Sequence, residues 1–110
     1  MRKLSLALSL LAVALVAAAF AIPAFAATKA VSVKDNFFSP KTTSISRGST
    51  VKWTWRGDAP HNVTKTKGPG TKFRSPNKLS GTYSHKFTRR GVYTIVCTIH
   101  PGMTMKLTVK

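Results

Sequence analysis

The chain has 110 residues, of which 18 are lysine or arginine and only 2 are acidic, so its formal net charge is +16. It contains one cysteine and no glutamate. A chain of this length holds one modest hydrophobic core. The near absence of carboxylates leaves almost no material for paired-carboxylate acid–base catalysis. The excess of positive charge indicates anionic partners or surfaces and says little about the fold.

Residues 1–26 are arranged like a secretory signal peptide. A basic start precedes a long apolar run, Pro23 breaks the helix, and the sequence Ala-Phe-Ala ends at residue 26. A retained membrane anchor is the competing interpretation, because the apolar run is nearly long enough to span a bilayer. We predict cleavage after Ala26 and export of residues 27–110 to the periplasm, the cell surface or the exterior. Sixteen of the basic residues remain after cleavage, which gives a net charge of +14.

The first half of the exported part is patterned as short strands separated by turns. Val31 and Val33 fall on one side of a first strand, and turns are predicted at Ser39-Pro40 and at residues 47–49. From residue 51 to residue 56 apolar and polar side chains alternate. That period is typical of a strand with one buried face.

The second half continues this pattern. A short strand is predicted at residues 61–64, and a long loop rich in Gly, Pro and Lys at residues 65–81. Alternation returns at residues 82–87 and 92–97, and a last strand is predicted at residues 105–110. No part of this region has a helical period, so the prediction is a single all-β domain, either a sandwich or a barrel.

The segment CTIHPGMTM, residues 97–105, collects side chains that bind soft metals. Cys97 lies on the inward side of its strand at the point where the strand ends. His100 and Met103 follow on a tight loop, and His61 can supply a fourth ligand from the start of an earlier strand. Two imidazoles, one thiolate and a weak axial thioether form the ligand set of a blue-copper electron-transfer site.

Other chemistries fit these residues less well. Structural zinc sites use four strong ligands, usually several cysteines, and the Cys-x-x-Cys-His sequence for haem attachment is absent. Cys97 and His100 could form a nucleophile pair, but the sequence offers no evident orienting group. The plainest alternative makes Cys97 a small buried hydrophobe. A free thiol outside the cytoplasm is a liability, however, unless a metal occupies it.

Two further residues compete for places in the site. Met105 shares its strand parity with Met103 and remains the alternative axial ligand, although the turn at Pro101-Gly102 favours Met103. His85 alternates with aromatic residues and is interpreted as a structural histidine.

Two segments of the chain resemble the cupredoxin family, in particular its small plastocyanin- and amicyanin-like members. They are PHNV, residues 60–63, and YTIVCTIHPGMTMKLTV, residues 93–109. The resemblance extends over residues 28–110 and implies a Greek-key β-sandwich with one copper ion, Cu(I) or Cu(II), at one end. The copper ligands that it implies are His61, Cys97, His100 and Met103.

The resemblance also implies a supporting role for Asn62, whose side chain would form hydrogen bonds around the site. Three features depart from the family pattern: Ile99 in place of a proline, the additional Met105, and the very basic loop. None of these departures removes a ligand.

The function that the resemblance implies is single-electron transfer by an exported type 1 (blue) copper protein, which is not an enzyme. His100 is the implied route for the electron, without any substrate bound at the metal. A copper carrier or storage protein is the alternative, because it needs the same soft ligands. A cationic binding module is a second alternative.

Because the chain is strongly basic, the expected partner is an acidic redox protein, such as a cytochrome or an oxidoreductase. The protein itself is expected to be a monomer. An anionic envelope surface is a further candidate, whereas nucleic acid is not expected, because only Phe73 could stack on bases within the basic stretch. The residues predicted to form a cationic face are Lys65, Lys67, Lys72, Arg74, Lys78, Lys86, Arg89 and Arg90.

Overall fold

The structure, a computed structural model, describes residues 26–110. The predicted signal peptide lies outside the described residues, apart from Ala26. Among the described residues there is no helix that could span a bilayer.

Two four-stranded sheets pack face to face and form the predicted β-sandwich. The strands are β1 (Thr28–Lys34), β2 (Phe37–Ser39), β3 (Thr42–Ile45), β4 (Thr50–Trp55), β5 (Thr64–Lys67), β6 (Thr82–Lys86), β7 (Gly91–Val96) and β8 (Thr104–Val109). One sheet has the order β2-β1-β4-β6, and the other has the order β3-β8-β7-β5. The strands β1 and β4 are parallel, as are β3 and β8, whereas the other pairs are antiparallel.

The core follows from the alternation that the sequence displays. In β4 the residues Val51, Trp53 and Trp55 are buried, and the residues between them face outward. Trp53 fills the centre, where its ring lies 6.1 to 6.3 Å from the rings of Phe73, Tyr83 and Phe87. Large aromatic side chains bury more apolar area per residue than other side chains, which matters in a domain with a small core.

The predicted strand at residues 61–64 is wrong in its position. His61 forms only an isolated bridge with Lys78, and β5 begins at Thr64, where it pairs with Val96. The amide of Val63 donates to the Ser75 hydroxyl, 2.8 Å away, and not to a neighbouring strand. Because the Ser75 side chain accepts this hydrogen bond, the Val63 amide does not pair with a neighbouring strand, and β5 begins one residue later. The local sequence does not reveal this hydrogen bond.

The predicted loop at residues 65–81 is correspondingly too long, and Lys65 does not belong to an exposed cationic face. Lys65 lies within β5 and is only 4% exposed. Its ammonium group donates to the carbonyls of Pro69, Gly70 and Thr71 and lies 5.3 Å from the centre of the Tyr93 ring. This buried lysine closes the turn that follows its own strand, and burial lowers its pKa, with smaller contributions from nearby cations.

The rest of the loop closes over the open side of the sandwich. Phe73 stacks on His85 with ring centres 3.9 Å apart, and His85 also meets the Phe87 ring edge-on. Burial lowers the pKa of His85, and the charge on Lys65 lowers it further. His85 is thus packed among core aromatics, as its alternation in the sequence indicates.

We predict that Lys65→Met destabilises the domain by about 1–3 kcal/mol, because three loop carbonyls lose their charged donor. Lys67→Met is the matched control: Lys67 is exposed on the same strand, and its replacement should change stability by less than about 0.5 kcal/mol. Urea denaturation of both variants measures the difference. Equal stabilities would show that the ammonium group does not hold the turn.

Candidate metal centre

Three loops meet at one end of the sandwich and form the site. They are the turn between β1 and β2, residues 56–63 after β4, and residues 97–103 between β7 and β8. The first two loops leave one sheet, and the third joins two strands of the other sheet. The site therefore lies where the two sheets face each other, and both sheets contribute to it.

The pairing of β7 with β8 positions the third loop. The last pair of this ladder is Val96 with Thr104. Beyond it the amide of Cys97 donates to the Met103 carbonyl at 3.0 Å, so the register continues by one step and places Cys97 opposite Met103. The amide of Met103 in turn donates to the His100 carbonyl at 3.2 Å, which closes the turn. Both sulfur-bearing side chains are buried at the inner edge of the loop.

Two imidazoles and the thiol converge in this space. The Sγ atom of Cys97 lies 3.8 Å from Nδ1 of His61 and 3.5 Å from Nδ1 of His100, and the two Nδ1 atoms are 3.1 Å apart. Ligand bonds of about 2.0–2.3 Å to one central ion, at angles of about 100–120°, would place such atoms about 3.1–3.8 Å apart. The donor set is soft, and its atoms are already spaced for a single ion, so these residues fit a bound copper.

His61 is fixed on three sides. Its carbonyl accepts a hydrogen bond from Nε1 of Trp55 at 3.1 Å, and its backbone pairs with Lys78. Its Nε2 atom lies 2.9 Å from Oδ1 of Asp35. The imidazole is completely buried, whereas the ring of His100 is partly exposed.

Asp35 also binds the loop that carries His61. Its carboxylate accepts hydrogen bonds from the amides of Asp58 at 2.8 Å and Ala59 at 3.0 Å. The Asp58 amide, the His61 ring and the Ala59 amide together lower the pKa of Asp35 to about 2. Hydrogen bonds to the charged form of a carboxyl group lower its pKa in this way.

Asn62 joins the loop of His61 to the loop of Cys97. Its Oδ1 atom accepts from the Thr98 amide at 3.1 Å, and its Nδ2 group donates to the Thr98 hydroxyl at 2.8 Å and to Oδ1 of Asn77 at 2.9 Å. The Asn62 amide is directed at Sγ of Cys97 from 3.5 Å. A buried side chain with this many partners fixes the spacing between the two loops.

Comparison with known proteins agrees with this geometry. Residues 26–110 match the copper-binding proteins of the plastocyanin/azurin family. The chain belongs to this family. The cluster of His61, Cys97 and His100 can accordingly hold one copper ion.

Several individual proteins of known sequence or structure are similar to this cupredoxin. Amicyanin-alpha of Methylorubrum extorquens is 40% identical over 80 residues, which are 70% of this chain and 66% of that protein. A purple cupredoxin from Nitrosopumilus maritimus superposes with a TM-score of 0.66 at 28% identity, covering 74% of this chain and 99% of that one. The copper-containing nitrite reductase of Thermus scotoductus gives 0.68 at 26% identity, covering 76% of this chain and only 22% of the reductase.

The structure of this cupredoxin brings together the two histidines and the cysteine that the sequence singles out. Met103 lies across from Cys97, whereas Met105 lies two residues further along, within β8 and opposite Ile95. The ring of His85 is stacked on Phe73, away from the cluster.

Sequence reasoning missed three residues that support the site. They are Asp35, Thr98 and Asn77. The chain has only two carboxylates, which could have drawn attention to Asp35, but it lies 26 residues from His61. No local pattern indicates that distant partnership.

Proposed function

We propose that this cupredoxin is an exported type 1 copper protein that carries single electrons between redox partners and has no enzymatic activity of its own. The observation that supports this proposal is the preformed cluster, in which one thiol and two imidazole nitrogens already lie 3.1–3.8 Å apart. Copper bound there would supply a one-electron couple. Ligands held in advance by the protein need to move little when the oxidation state changes.

Several hydrogen bonds support the rigidity that electron transfer requires. Asn62 ties the two ligand loops together, and Trp55 holds the backbone of His61. The Asn62 amide points at the Cys97 sulfur, and hydrogen bonds to this sulfur are among the features that tune a blue-copper potential.

We assign the axial position to Met103 and a purely packing role to Met105. The ladder register supports this choice, because Met103 is the residue paired with Cys97. Met105 is fully buried beside Ile95 within the core. We further propose that electrons pass through His100, whose ring is partly exposed next to the exposed Ile99.

Export followed by cleavage after Ala26 is part of the proposal. Ala27 is already tied into the fold: its amide donates to the Ser49 hydroxyl at 3.1 Å, and its carbonyl accepts from Thr50 at 2.9 Å. A mature chain that starts at Ala27 would keep both of these hydrogen bonds. The periplasm or the cell exterior is the proposed location.

An acidic redox protein is the proposed partner. Apart from the buried Lys65, the basic segment that begins at β5 exposes several cations, and the chain has only two acidic side chains to oppose them. A positively charged surface of this kind increases the rate of association with an anionic partner, and the increase becomes smaller as the ionic strength rises. The exposed residues concerned are Lys67, at the end of β5, and Lys72 and Arg74, in the loop that follows.

The decisive experiment is the visible spectrum of the purified protein after addition of Cu(II). We expect an intense blue thiolate-to-copper band that bleaches on reduction and returns on oxidation, because the site combines one thiolate with two imidazoles. Cys97→Ser should lack the band. Copper binding without this band would contradict the proposal, and loss of the metal on each reduction would favour a copper carrier.

The axial assignment predicts different effects for the two buried methionines. Met103→Leu should raise the reduction potential, because a weak donor to the oxidised state is lost, while the blue band is retained. Met105→Leu conserves volume in the core and should leave the potential nearly unchanged. Voltammetry of both variants measures the shifts, and the opposite ranking would assign the axial position to Met105.

The proposed docking face predicts a strong dependence of partner reduction on salt. Exposed charges are screened beyond about 8 Å at physiological ionic strength, so the bimolecular rate should fall as salt is added. Changing Lys67, Lys72 and Arg74 to Gln should lower the rate at low salt and flatten this dependence.

The matched control changes Lys52, Lys106 and Lys110 to Gln. It removes the same charge from exposed positions on β4, on β8 and at the residue after β8. Stopped-flow measurements with one acidic cytochrome compare the two variants. Equal losses in both would show that the net charge acts and that the basic loop is not the docking face.

A further inference from the structure

We propose that Asp35 is a positioning residue of the copper site: its carboxylate selects the tautomer of His61 and stabilises the oxidised state of the metal centre. The predicted effect of Asp35 on the reduction potential rests on the function proposed above. The tautomer belongs to the metal-free protein and does not depend on that function.

The contact between Asp35 and His61 determines where the ring proton lies. A carboxylate only accepts hydrogen bonds, so the 2.9 Å separation from Oδ1 requires a proton on Nε2. A neutral imidazole has one ring proton, and Nδ1 is therefore left with its lone pair. This is the nitrogen that faces Sγ of Cys97 and Nδ1 of His100.

The fold holds the carboxylate in place independently of the histidine. Asp35 occupies the tight turn between β1 and β2, where Asn36 has a φ of 78°. The amides of Asp58 and Ala59 bind both carboxylate oxygens. A Cβ atom at Gly57 would overlap this carboxylate, so glycine provides the space that the arrangement needs.

The same contact affects the two oxidation states unequally. An anion hydrogen-bonded to the outer nitrogen of a metal-binding histidine makes the imidazole a stronger donor. Its negative charge also favours the more highly charged metal ion. Asp35 is one of only two carboxylates in a strongly basic chain, so this local field opposes that of the other charges.

Asp35→Asn tests the proposal, and Asp58→Asn is the matched control. Both substitutions remove one negative charge, and they lie close together around the same loop, but only Asp35 contacts the His61 ring. We expect Asp35→Asn to weaken Cu(II) binding by about 10- to 100-fold, as is usual for partners of metal-binding histidines. If Cu(I) binding is unchanged, a tenfold loss raises the one-electron potential by about 59 mV.

The competing outcome is that both variants shift Cu(II) affinity and potential equally. That result would overturn the proposal, because it would leave only a general effect of charge. Gly57→Ala provides a second variant in case Asp35→Asn does not fold. It keeps the charge and displaces the carboxylate, and it should shift the potential in the same direction.

The tautomer is measured on the copper-free wild-type protein by ¹⁵N NMR of the histidine rings. We expect His61 to carry its proton on Nε2. A proton on Nδ1 would refute the role of Asp35 whether or not the protein transfers electrons. Conversely, an Nε2 proton in a protein that shows no blue copper band would leave the Asp35–His61 contact intact and reject the proposed function.

Discussion

The antiparallel pairing of β7 and β8 is the constraint on which the metal centre depends. Its register, continued one step beyond Val96 and Thr104, places Cys97 opposite Met103, and both side chains are buried. The five residues between them must turn in a short space, and His100 is carried on that turn. Breaking buried hydrogen bonds of a strand ladder costs free energy. The loop at residues 97–103 is therefore held rigidly at both of its ends.

The sheet that contains β4 completes the site through His61 and its neighbour Asn62. His61 enters from the loop after β4, and Asn62 connects this loop to Thr98 in the loop after β7. Each loop is thus held by its own sheet and by the other loop. A site built in this way is rigid because the packing of the two sheets sets the distance between the ligands.

Charge is distributed in two distinct ways in this small basic protein. Most lysines and arginines of the described residues are exposed, and their electrostatic effect extends over about one screening length, which depends on the salt concentration. Lys65 and Asp35 instead act locally: one ammonium group closes a turn with three carbonyls, and one carboxylate receives two amides and a metal-site histidine. Composition alone describes the first kind of charge, whereas the second kind depends on partners that folding brings into contact.

The all-β class, the inward direction of Cys97 and the candidate cluster of His61, Cys97 and His100 could be predicted from the sequence, because strand parity and ligand chemistry are local properties. The three-dimensional structure was needed to show that Lys65 is buried, that β5 begins at Thr64, and that Met103 and not Met105 is paired with Cys97. It also shows that Asp35 contacts His61, from which it is separated by 26 residues in sequence. Parity repeats every two residues and cannot distinguish positions two apart, and contacts between loops of different sheets follow from register and packing, which no local pattern encodes.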